Sequence, residues 1–203
     1  MSATAVENML LTAPEVSVEA GKDAKGGKPR VSVLAYTGGV MTVHGWGDVA
    51  IDLTGLDASG QVPLLADHDA RVGGVVGHGE ASVVDGRLIV SGVVSGAGDA
   101  ARQIVEMSTG GFAFQASVGV EPLEHERIAP NTKAELNGRA LSSPRGFSLI
   151  KRGKLREVSI TPLGADSETS VSIAASRRSK EGTIMSTQLL DANEAAIRSA
   201  YHR

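Results

Sequence analysis

The sequence predicts a mainly β domain, of barrel or sandwich type. Three observations carry this. Apolar residues recur at every second position through several short segments, the period of a half-buried strand. Asp85-Gly86 separates two such segments, and this dipeptide suits a tight hairpin turn because it tolerates positive φ. Within the patterned middle of the chain, a single stretch reads clearly as helix.

Residues 1–30 include GKDAKGGKPR, whose Gly, Lys and Pro oppose packing, and read as a flexible leader. Strand patterning begins at Val31 with VSVLAY and continues through VMTVHGWGDVAID. PLLADHD follows, a strand end that carries His68 into an acidic turn. VGGVVGHGEASVV and RLIVSGVV form the hairpin around Asp85-Gly86. GDAARQIVEMSTGG predicts a helix over about 99–108: Ala101, Ile104, Val105 and Ser108 share a face, Asp99 is placed to cap it, and Gly110-Gly111 stops it. The chain then enters the strand FAFQASVGVEPL, which carries Ser117. Residues 125–146 are polar and rich in Gly and Pro, and read as a long surface excursion. Two further strands, GFSLIK and LREVSITPL, complete the domain. Beyond about Ser172, AASRRSKEGT reads as a basic linker, and TQLLDANEAAIRSAYHR as a helix that docks on a neighbour or partner, since an isolated helix of this length is marginal in water.

Composition excludes several classes of function. The 203 residues allow one domain with flexible ends. A net charge of −3 without a basic block argues against a general nucleic-acid surface. The absence of cysteine removes disulfides, thiol nucleophiles and Cys-ligated zinc, and fits a cytosolic compartment. No apolar run approaches the roughly 18 residues of a membrane span.

Three separated residues supply the parts of acyl-transfer chemistry: a base, a nucleophile and an acid to orient the base. His68, flanked by Asp67 and Asp69, has an imidazole suited to taking a serine proton and returning it to a leaving amine. Ser117 lies in an apolar strand between Ala116 and Val118, followed by Gly119, which leaves space for a substrate backbone. Its setting departs from the G-x-S-x-G elbow, because Gln115 stands at the first glycine position, and this disfavours an α/β-hydrolase. Glu157, ahead of VSITPL, has a carboxylate that can accept the second ring N–H of the histidine. Taken alone, the three are a turn histidine, a strand serine and an exposed carboxylate. His44, His68, Asp69 and His78 offer metal-ligand chemistry, but no H-x-x-x-H pair occurs; His125 and His202 lie in a charged loop and the tail.

In this order and spacing, PLLADHD, FAFQASVGV with its S-x-G, and LREVSITPLGADSETSV resemble the prohead (capsid maturation) serine proteases of tailed bacteriophages. The resemblance covers roughly residues 31–173. It implies that His68 is the base, Ser117 the nucleophile and Glu157 the acidic member, with Asp166 nearby as an alternative to Glu157. Because that family is related in fold to the herpesvirus assembly proteases, it implies a small closed β-barrel with a few surrounding helices. It further implies a serine endopeptidase without cofactor or metal, cleaving scaffold and major capsid protein, and itself, inside the immature capsid in the host cytoplasm. A homo-oligomer, membrane independence and no direct nucleic-acid binding belong to the same expectation. The leader (1–30) and the segment around 176–182 are expected sites of self-cleavage, and residues 174–203 a linker with a scaffold-like helical tail. Two other classes stand beside it: a catalytically silent scaffold or capsid-assembly module, and a hydrolase with a metal on His44, His68 and His78. Lys151 to Lys154 reads as a glycine-containing turn able to offer oxyanion donors, though none is assigned.

Overall fold

In the computed structural model, which describes residues 27–174, the strands follow in the order β1 (Arg30–Tyr36), β2 (Met41–Val43), β3 (Gly47–Ile51), β4 (Leu56–Asp57), β5 (Gln61–Ala66), β6 (Val75–Val84) and β7 (Arg87–Val93). After helix α1 (Asp99–Thr109) come β8 (Gln115–Ile128), β9 (Ala134–Leu136), β10 (Arg139–Leu141), β11 (Phe147–Thr161) and β12 (Ser170–Ala174). The leader expected over 1–30 and the tail over 174–203 fall almost wholly outside the described residues, as do His202 and the 176–182 cleavage segment. Within them, Arg30 opens β1 and Ala174 closes β12.

β11 is the spine of a 10-stranded sheet. Along one side it pairs in parallel with β3, β4 and β5 in succession; along the other it pairs antiparallel with β8. From β5 the sheet continues through β6, β7 and β1 to β12, and β2 extends it beyond β3. A short β9–β10 hairpin stands apart as a second sheet.

The closed barrel with surrounding helices is overturned. The sheet curls into an open half-barrel, 54% of the structure is strand and 9% helical, and the helical part contains one α-helix. Mainly β character stands, but the rim is left unsealed: β8 pairs with β11 alone, and β12 with β1 alone, among the described strands. Pro122 lies within β8, a residue that sheets accept on edges because it donates no ladder hydrogen bond.

The concave face holds the aliphatic core that the composition predicts. Val33, Leu64, Val76, Leu88, Val90, Ala116 and Val158 are fully buried there. Burial of each valine or leucine among them contributes about 1.5–3 kcal/mol by removing apolar surface from water. α1 adds Ala101 and Ile104 to the same core. Its N-cap is Gly98; Asp99 is the first helical residue and pairs with Arg102, so the capping role expected of Asp99 is not seen. GFSLIK and LREVSITPL are one strand, kept continuous through Lys151–Lys154 by register shifts that absorb extra residues. The excursion over 125–146 contains the end of β8 and the β9–β10 hairpin, turned by Asn137-Gly138 at φ 51° and 79°.

Candidate active site

The site lies on the convex face of the sheet, where β8, β11 and the turn after β5 meet. Alternation along β11 puts Val158 and Ile160 into the core and turns Glu157 and Ser159 outward. Across the antiparallel pair, Ser159 faces Ser117 and Glu157 faces Gly119, so Ser117 shares the outer face with both. On the other flank Ser159 is in register with Leu65 of β5, and β5 delivers His68 two residues past its end.

His68 Nδ1 lies 2.8 Å from Glu157 Oε1. Ser159 Oγ donates to Glu157 Oε2 at 2.8 Å and accepts the backbone N–H of His68 at 2.9 Å. The turn that carries His68 is left-handed at two successive non-glycine residues, Asp67 (φ 47°) and His68 (φ 60°). That conformation costs on the order of 1 kcal/mol or more per residue, so the surroundings must hold it. Asp67 N–H donates to Ile160 O at 3.2 Å and Asp69 N–H to Ala66 O at 2.9 Å, which with Ser159 moors three successive amides.

The sequence-predicted residues are therefore placed as follows. His68 and Glu157 are joined directly, and the His68 side chain is about half exposed while that of Glu157 is mostly buried. Ser117 is on the same face, partly buried, and its hydroxyl makes no hydrogen bond to His68 or to any other of the described residues. Catalytic hydrogen bonds are often loose before substrate binds. Asp166, the alternative acid, is engaged elsewhere: its Oδ2 accepts both the N–H (2.8 Å) and the hydroxyl (2.7 Å) of Thr37. Asp69 is held by Arg71 through Nε (2.8 Å) and Nη2 (3.0 Å); these hydrogen bonds, with the Arg71 N–H, keep its carboxyl below the usual carboxylate range.

Gly119 does not leave room for substrate. A methyl built on it would lie 2.9 Å from both Cδ and Cγ of Glu157 and closer still to Oε1, so the space belongs to the Glu157 side chain. The proposed oxyanion turn is also revised: Lys151–Lys154 is strand, and within it Arg152, Gly153 and Lys154 pair with Glu124, Pro122 and Glu121, well along β8 from Ser117. Ser159 is the site residue that the sequence reading leaves out. The available signal is its spacing, two residues after Glu157 and hence on the same strand face.

His44, His68 and His78 do not assemble. His44 lies in the turn between β2 and β3, and His78 Nδ1 is 2.8 Å from Ser95 Oγ. No group of three or more His, Asp or Glu able to hold a metal occurs among the described residues. A hollow of about 360 Å³ over Gln61, His78, Glu80 and Ser91 lies at the start of β5, the end of that strand away from the His68 turn. No helix among the described residues is long and apolar enough to cross a membrane.

The outer edge of β8 is the remaining feature of the site. Ala116 turns its N–H and C=O away from β11, and both are taken by Thr169 Oγ1, at 2.8 and 3.0 Å. Strand alternation gives Val118 and Val120 the same outward direction, and β8 has no strand partner there among the described residues. On the concave side of that edge, Trp46, Val49, Ile51, Val118, Val120 and Pro122 line much of an apolar hollow of about 130 Å³.

Compared with protein-family models, curated proteins and solved structures, the chain finds no match.

Proposed function

We propose that this chain is a serine endopeptidase of the prohead maturation type, with Ser117 as nucleophile, His68 as general base and Glu157 as the acid that orients the base. The observation that carries the reading is the 2.8 Å contact of His68 Nδ1 with Glu157 Oε1 on the face that also presents Ser117. A carboxylate on Nδ1 fixes the proton there and leaves Nε2 with its lone pair free to accept the serine proton. The same carboxylate stabilises the imidazolium formed as Ser117 Oγ bonds to the scissile carbonyl. His68 then returns the proton to the leaving amine, and water hydrolyses the acyl-enzyme by the same steps.

The open edge of β8 supports a peptide as substrate. An extended segment paired there meets the outward backbone groups of Val118 and Val120, next to Ser117, with one side chain over the apolar hollow near Trp46. In this reading the substrates are scaffold and capsid-protein segments and the chain's own termini, within an immature capsid in the host cytoplasm. Co-expression with scaffold and capsid protein tests it: the wild-type chain processes both, and Ser117→Ala processes neither while folding normally. Unchanged processing by Ser117→Ala removes the proposal.

A second reading, a catalytically silent assembly module, is favoured by the Ser117 hydroxyl standing unlinked to His68. It predicts assembly that is indifferent to Ser117→Ala and no modification of Ser117 by serine-directed reagents.

A further inference from the structure

We infer that Ser159 is a positioning residue that sets the base and the acid together. The inference rests on the protease reading for its kinetic part and on geometry alone for the rest. Ser159 is fully buried, and its hydroxyl has one proton to give. That proton goes to Glu157 Oε2 at 2.8 Å, while the oxygen accepts the His68 N–H at 2.9 Å. One atom thus fixes the backbone of the base and the carboxylate of the acid at the same time.

Each contact restrains something otherwise free. The Glu157 side chain has three rotatable bonds; with Oε1 on His68 and Oε2 on Ser159, the plane of the carboxylate is determined. His68 stands in a left-handed turn, and its N–H has Ser159 Oγ as acceptor. Ser159 is also directly opposite Ser117 in the β8–β11 register, so it spans all three proposed catalytic residues. It is not itself the nucleophile, being buried with its proton committed to a carboxylate.

The test compares Ser159→Ala and Ser159→Thr with wild type by two readouts. The first is the His68 tautomer, from the ¹⁵N shifts of its ring nitrogens in two-dimensional NMR. Wild type is expected with the proton on Nδ1, Ser159→Ala with a mixture of tautomers, and Ser159→Thr, which keeps the hydroxyl, close to wild type. The second is peptide cleavage: Ser159→Ala is expected to lower kcat about 10- to 100-fold with KM nearly unchanged, as for a misplaced catalytic group. A wild-type His68 without the Nδ1 proton, or a tautomer distribution unchanged in Ser159→Ala, overturns the inference. So does a kcat loss that merely follows the unfolded fraction. Failure of the protease reading is separate: it appears as a wild type that cleaves nothing, while the tautomer comparison still decides the role of Ser159.

Discussion

Gly119 lies across the sheet from Glu157 and surrenders to it the space that a side chain would fill. The carboxylate lies over β8, the strand of Ser117, because the residue beneath has no Cβ. Gly119→Ala should therefore push Glu157 away from His68. With displacement on the scale of 1 Å, the expected loss in kcat/KM is about 100-fold. The partner atoms belong to a flexible side chain, so circular dichroism and the melting temperature should change little; wild-type kcat/KM in this variant would refute the arrangement.

Glu157 and Asp166 separate cleanly by substitution. Glu157→Gln keeps the shape but offers an amide that can donate to His68 Nδ1, favouring the wrong tautomer. The expected fall in kcat is about 10³- to 10⁴-fold with the fold intact. Asp166→Asn removes a charged acceptor from the Thr37 N–H and hydroxyl, and should lower stability by about 1–3 kcal/mol while leaving kcat of the folded protein near wild type. Denaturant melts and kinetics on the two variants check both halves; the reverse pattern would reassign the acid.

A proposed substrate strand on β8 has its own signature. Val120→Pro removes an outward N–H from an edge that already accepts Pro122. KM for peptide substrates should rise about tenfold, the loss of one such hydrogen bond, with the rate of modification by a small serine reagent unchanged. An unaltered KM would place the substrate elsewhere.

Acid stability should depend on Asp48, which sits on β3 at the far end of β11. It accepts hydrogen bonds from Ser143 Oγ (2.6 Å), Arg145 Nη2 (2.7 Å) and Thr42 Oγ1 (3.1 Å), pinning the chain ahead of β11 to β3. The Ser143 bond first, then Arg145, holds its carboxyl down at about 2. A folded value below the unfolded one near 3.9 means that the charged form stabilises the fold. Its contribution is full above about pH 4 and is lost as pH falls through about 2. Melting temperatures measured from pH 5 to pH 2 should fall less steeply in Asp48→Asn than in wild type; parallel curves would contradict this.

How much of the molecule the sequence reveals can be judged from particular elements. The alternation in VSVLAY and the Asp85-Gly86 turn are local, and both appear as read. Asn137-Gly138 is the same kind of turn signal, yet the polar stretch around it reads as loop because each strand of its hairpin is only three residues long. Alternation breaks at Lys151–Lys154, where register shifts interrupt the period, so one strand reads as two. Barrel closure depends on whether distant edges pair, which no local pattern reports. His68, Ser117 and Glu157 are legible as a set of chemical types. Ser159 is not, because its role comes from β5 lying beside it in register, a contact between segments far apart in the chain.

The most direct test of the central claim is covalent labelling of the intact chain with a serine-directed phosphonate, followed by mass spectrometric mapping of the modified peptide. The protease account predicts one equivalent of label on Ser117, a label lost in Ser117→Ala and greatly slowed in His68→Ala. Absence of label under conditions where the chain processes its substrates, or label on a serine other than Ser117, would contradict it.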